Sequence, residues 1–134
     1  MALYKTFSNM GKEEVDDKTN ENDVPRITSA QQRHSIIKHN FLVVIDNYTD
    51  WCGPCKQAMP HFQALANKYS HPAICALVKE NADDKCGGQP ISISGVPCFH
   101  FYMNGEFLKK ETITGANIND IENTIKRLLS MYSK

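Results

Sequence analysis

Several absences narrow what this 134-residue sequence can be. It lacks an excess of charge. Its 15 basic residues balance 15 acidic ones, so no broad electrostatic surface for nucleic acid or an anionic membrane is expected. No run approaches the roughly 18 apolar residues of a membrane-spanning helix. The opening MALYKTFSNMGKEEV has no apolar stretch of the signal-peptide kind. No internal repeat is visible. An even cysteine count is also lacking: Cys52, Cys55, Cys75, Cys86 and Cys98 make 5, so at least one thiol lacks an internal partner. A chain this long can bury a core without disulfide staples, and it is expected to form one domain. Together these features point to a reducing, cytoplasmic setting. There a CxxC pair is more often catalytic or metal-binding than structural.

What is present falls into two parts. Residues 1–23 are polar and lean acidic, without periodic apolar positions. They are expected to be a flexible tail, with a short strand or docking segment as the alternative. From Val24 the pattern is regular. VPRIT can form an edge strand, Pro25 excluding a central one. Ser29 can cap a helix through His34, Ile36 and Ile37 to about Asn40. FLVVID (41–46) reads as a strand buried on both faces. Cys55, Met59, Phe62, Ala66 and Tyr69 then mark a helical face, with a kink expected at Pro60. AICALV (73–78) is a second buried strand, and DDKCGGQP (83–90) a turn-rich loop. CFHFYM (98–103), Asn104-Gly105 and EFLKKETI (106–113) read as a β-hairpin. A last helix carries Ile118, Ile121, Ile125, Leu128 and Leu129 on one stripe, capped by Asn117 or Asn119. The expected class is α/β, with a mixed sheet between helices in residues 24–134.

The stretch DWCGPCK carries the chemistry. Cys52 stands where a helix starts, and Pro54 suits the first turn because its missing N–H costs nothing there. The free N–H groups of that turn favour negative charge on Cys52 and so a nucleophilic thiolate. Cys55, one turn on, is near enough to resolve a mixed disulfide formed at Cys52. Two other readings stay open: a buried structural pair and a zinc clip. Zinc usually takes four ligands, and no second CxxC exists. His61, His71, His100, Cys75, Cys86 and Cys98 are spare donors at irregular spacing. Asp46, at the end of an apolar strand, would be partly desolvated and its pKa raised, which suits a proton acceptor. Lys79, on a neighbouring strand, could hold it charged.

WCGPCK after an apolar strand, with a proline five residues past the second cysteine, resembles the thioredoxin family, and the resemblance extends over about residues 24–132. It implies the thioredoxin fold, a central mixed sheet flanked by helices. It also implies a Cys52/Cys55 dithiol–disulfide cycle that reduces protein disulfides, serving electron transport and cell redox homeostasis. Asp46 and Lys79 fall at the positions of the family's buried acid and its paired lysine. Gly95-Val96-Pro97 matches the turn whose proline is cis, beside which the residue before proline pairs with the substrate chain. NGEFLKKETITGA resembles the closing hairpin, ending at Gly115. Trp51, Gly53, Pro54, Val96, Pro97, Gly115 and Ala116 would then form an apolar docking surface. The resemblance implies a monomer with no bound cofactor or metal, recharged by an NADPH-dependent reductase similar to thioredoxin reductase. An oxidase or isomerase on the same fold, or a non-catalytic interaction protein, are the alternatives. Gly-Pro between the cysteines resembles the reducing members.

Three departures stand out. Asn47 places an amide where the family has an aromatic. DDKCGGQP replaces a normally helical stretch. Cys98 follows the expected cis proline, where Thr is common. Cys98 and the loop residue Cys86 are therefore candidate extra redox thiols, while Cys75 reads as an inert strand residue.

Overall fold

In the computed structural model, residues 23–84 and 93–133 are described. Strand β1 (Leu42–Tyr48) lies between β2 (Cys75–Asn81) and β3 (Cys98–Met103). It runs parallel to β2, with Leu42 opposite Cys75 and Asp46 opposite Lys79. It runs antiparallel to β3, with Val44 opposite Phe101 and Asn47 opposite Cys98. A short strand β4 (Glu106–Phe107) lies on the far side of β3, giving the order β2-β1-β3-β4, with a fifth strand also on β3. The mixed sheet expected from the pattern is what forms.

Side chains alternate across a strand, so β1 feeds two cores. Leu42 and Val44 join Phe62, Leu65, Ala66, Phe99, Phe101, Ile121 and Ile125 on one face. Val43 and Ile45 join Ile27, Ile36, Ala76 and Val78 on the other. Helix α1 (Ala30–His39) covers the second face, its Ser29 hydroxyl accepting from the Gln32 N–H at 3.1 Å. Helices α2 (Gly53–Tyr69) and α3 (Ile118–Leu129) cover the first. α2 continues unbroken past Pro60, whose ring faces solvent and whose missing N–H forgoes one helical bond. α3 begins after Asn117, which makes no side-chain cap bond.

The observed strands differ from the sequence pattern in two places. β2 begins at Cys75 and reaches Asn81, later than AICALV suggests. Residues 71–74 form a turn in which the Ile74 and Cys75 N–H groups both donate to the His71 carbonyl. The polar end of β2 is tolerated because Glu80, fully buried, meets the buried Arg33 of α1: Nε donates to Oε1 at 3.0 Å. The hairpin also breaks. β4 is only Glu106–Phe107, a 3-10 turn occupies Lys109–Glu111, and β5 (Ile113–Thr114) resumes pairing opposite Phe99 and Cys98. The exposed pair Lys109-Lys110 has no apolar face to bury, so nothing holds it in the sheet. VPRIT makes a single bridge, with Ile27 N–H to the Lys79 carbonyl at 2.8 Å and Lys79 N–H to the Pro25 carbonyl at 2.9 Å.

Phe62 is fully buried, and its ring centroid lies 5.5 Å from that of Phe99, joining α2 to the sheet. Phe62→Ala should cost about 3–5 kcal/mol in urea unfolding. A loss under about 1 kcal/mol, the scale of a surface substitution, would contradict this account of the core.

Candidate active site

β1 delivers the site at its C-terminal end. Beyond Tyr48 the chain turns through Thr49 and Asp50 to Trp51 and enters α2 at Cys52. Cys52 is the N-cap, and its sulfur accepts from the Cys55 N–H at 3.1 Å. The same N–H would stabilise negative charge on that sulfur once the pair is reduced. Cys52 and Cys55 are disulfide-bonded, with their Cα atoms 5.2 Å apart. Both are buried, at 4% and 2% exposure. The one-turn spacing of the pair permits the bridge, and Pro54 sits in the first turn.

Asp46 is completely buried. It follows Val44 by two residues and pairs with Phe99, so its side chain enters the face that α2 covers. Cys55 lies on the buried side of α2, so acid and thiol share the layer between helix and sheet. Neither carboxylate oxygen has a hydrogen-bond partner among the described residues. Burial pushes the Asp46 pKa up from 3.8 to about 7, against the opposing pull of the Lys79 charge. Lys79 is half-buried, opposite Asp46 in the ladder, with Nζ 6.0 Å from the Tyr48 ring centroid.

The Val96-Pro97 peptide is cis. Pro97 is buried and Val96 half-buried. The Pro97 carbonyl accepts from the Gly115 N–H at 2.8 Å, which ties the turn to the end of β5. Gly115 has φ +101°, a conformation that favours glycine. Trp51, at 71% exposure, is no core residue. Its indole N–H donates to Asp83 Oδ2 at 2.9 Å, so an exposed ring is held by its polar edge. Gly53, Pro54 and Ala116 are also exposed, and Gly115 is half-buried.

The neighbours of the motif needed the structure. Asn47 is buried at 1% exposure and is bonded rather than stranded: Nδ2 donates to the Cys98 carbonyl at 3.0 Å and lies 3.3 Å from His100 Nδ1. Cys98 is opposite Asn47, so its side chain lies on the α1 face and not on the face that carries Asp46 and α2. Its sulfur is 3.5 Å from His100 Nε2. Burial pushes the Cys98 thiol up, the Thr114 hydroxyl works the other way, and the Asp46 charge adds to the rise. Burial also lowers the pKa of His100. Cys75 is pushed up to about 12 by burial alone, matching an inert thiol. Cys86 and most of the turn-rich loop, residues 85–92, lie outside the described residues.

Asp83 and the Arg33–Glu80 pair were missed in the sequence, where His100 stood only as a spare donor for zinc. The pair had a signal. Arg33 lies three residues before Ile36 on the helix, and Glu80 lies two after Val78 on the strand, both in line with core positions. Among the described residues, no group of three or more His, Cys, Asp or Glu is placed to hold a metal ion. Nor is any described helix long and apolar enough to cross a membrane.

A disulfide closed over one helical turn, with a buried carboxyl behind it and a cis proline turn in the same sheet, defines a thiol–disulfide oxidoreductase. The comparisons with known proteins agree. The thioredoxin family model matches residues 23–127. A thioredoxin from Neurospora crassa is 32% identical over 109 residues, covering 78% of this chain and 86% of that one. Thioredoxin-1 of Schizosaccharomyces pombe is 34% identical over 103 residues, covering 77% and 96%. The oxidized mitochondrial thioredoxin 3 of Saccharomyces cerevisiae superposes with a TM-score of 0.66 at 30% identity, covering 78% of this chain and 94% of that one. The chain belongs to the thioredoxin family. Its activity is that of a protein-disulfide reductase.

The Asp46 shift gives a signed prediction. The folded state holds this proton more tightly than the unfolded chain. The favourable term is therefore fully present below pH 3.8, is lost as pH rises to about 7, and stays lost above. At about 1.36 kcal/mol per unit, ionised Asp46 costs roughly 3–5 kcal/mol. Asp46→Asn should therefore raise the urea midpoint clearly at pH 8 and leave it near wild type at pH 4. A gap between the two proteins that does not change with pH would refute the assignment.

Proposed function

We propose that Cys52 and Cys55 run a two-step exchange with Asp46 as proton acceptor. The Cys52 thiolate attacks a substrate disulfide, forming a mixed disulfide and expelling one substrate thiolate. The Cys55 thiol passes its proton to Asp46, directly or through water, and attacks the Cys52 sulfur. The second substrate thiolate leaves. The substrate has gained two electrons, and the Cys52–Cys55 disulfide has formed. The single observation carrying this reading is that disulfide at the start of α2, with the Cys55 N–H on the Cys52 sulfur. The buried Asp46 carboxyl, without a hydrogen-bond partner among the described residues, supports the proton transfer, with Lys79 modulating it from the paired strand.

An NADPH-dependent reductase of the thioredoxin reductase type would return the two electrons, so the chain itself carries no cofactor. Protein disulfides are the proposed substrates. They would dock on Trp51, Gly53, Pro54, Val96, Pro97, Gly115 and Ala116, and the backbone at Val96 would pair with the substrate strand. Exposed Trp51, Gly53, Pro54 and Ala116 around a buried sulfur pair support that surface. We assign the work to a monomer built on residues 24–134, with 1–23 as a tail, acting in cytoplasmic electron transport and redox homeostasis. The family match over 23–127 supports the boundary.

Insulin reduction tests the scheme. Cys52→Ser should abolish turnover. Cys55→Ser should also stop turnover but accumulate a mixed disulfide with substrate, visible by mass spectrometry. Asp46→Asn should keep the first step and slow the second at pH 7. If Cys55→Ser turns over normally, or Cys52→Ser traps substrate instead, the roles are wrong.

A further inference from the structure

We propose that Asn47 is a positioning residue that holds the Val96-Pro97-Cys98 segment in register for a polypeptide substrate; this rests on the reading above that the substrate strand pairs at Val96. The two carbonyls after the cis bond are gripped by different elements. The Pro97 carbonyl accepts from the Gly115 N–H at 2.8 Å. The Cys98 carbonyl accepts from Asn47 Nδ2 at 3.0 Å. Successive carbonyls of a strand point to opposite neighbours, so the first grip comes from the β5 side and the second from β1. Val96 itself takes part in none of the backbone hydrogen bonds among the described residues outside helices and strands. The segment is therefore fixed just beyond the bond while Val96 stays available.

The amide cannot be turned round. A carbonyl only accepts, so Nδ2 must face Cys98. The same Nδ2 is 3.3 Å from His100 Nδ1, so that nitrogen is also an acceptor. The His100 proton then belongs on Nε2, 3.5 Å from the Cys98 sulfur. Asn47 thus sets the backbone of residue 98 and the tautomer of residue 100 together. Because its side chain lies on the α1 face, it does this without touching Asp46, Cys55 or the substrate.

The test separates positioning from stability. Asn47→Ala and Asn47→Leu are assayed with insulin and with a small aromatic disulfide that makes no strand contact. Leu keeps the volume in an apolar layer and guards against a variant that fails to fold. Both should raise KM for insulin about fivefold, the scale of one hydrogen bond, with kcat within about twofold and the small disulfide unaffected. Ring nitrogen shifts in 15N NMR should show His100 losing its single tautomer. Val78→Ala, a core variant, should lower Tm without moving either KM. Val96→Pro, which removes the N–H of the pairing edge, should raise the insulin KM. If Val96→Pro raises it and both Asn47 variants do not, the inference fails and the reading of the edge stands. An unchanged KM in Val96→Pro overturns the edge and the inference with it. Equal losses on both substrates would also overturn it, because they mark a general structural role.

Discussion

The site depends on one constraint: β1 is hydrogen-bonded along both edges and buried on both faces. A strand so enclosed has one register, because a slip by one residue would exchange its two faces. Leu42 and Val44 fix Asp46 into the α2 layer, and Val43 and Ile45 fix Asn47 into the α1 layer. The last residues of one strand thus place an acid behind the cysteine pair and an amide behind the proline turn. The cysteine loop follows directly, so its position relative to Asp46 is set by a few covalent links and one helix.

Burial works in opposite ways on the polar groups of this layer. Arg33 and Glu80 lose water but meet in a bidentate pair, so their charges stay matched. Asp46 loses water and gains no hydrogen bond among the described residues, with Lys79 as a partial counterweight. The first arrangement is structural. The second makes ionisation unfavourable on a carboxyl in the layer behind the cysteine pair. Two acids in adjacent strands, at positions 46 and 80, are buried almost equally, but a guanidinium is fitted to the second.

Most of the fold was legible because periodicity reports burial. FLVVID, the helix after the cysteines and the last amphipathic helix all appear where apolar spacing put them. The motif chemistry was legible for a local reason: helix-start geometry is set by neighbours in sequence. The failures were nonlocal. EFLKKETI has good strand pattern at both ends, but its lysine pair has no partner layer, and only the packed structure shows that. Asn47 reads as a polar intrusion in a core until His100 and the Cys98 carbonyl, more than 50 residues away, are placed beside it. Trp51 is expected on a docking surface, but the partner that holds its N–H there, Asp83, lies 32 residues away and shows only in the structure.

Cys98 shows how much a one-residue shift decides. Its place after a cis proline puts it next to the active turn in sequence, yet strand alternation turns its side chain to the opposite face from Asp46. There it meets a neutral imidazole and a hydroxyl, and burial holds it as a thiol. A thiol in that state is a poor nucleophile, since exchange requires the thiolate. Where the resemblance leads to Thr, this chain has a residue of similar size whose S–H is a much weaker donor than a hydroxyl. Asn47, Cys98 and His100 thus form one bonded unit in the layer behind the turn, and the disulfide itself lies between Cys52 and Cys55.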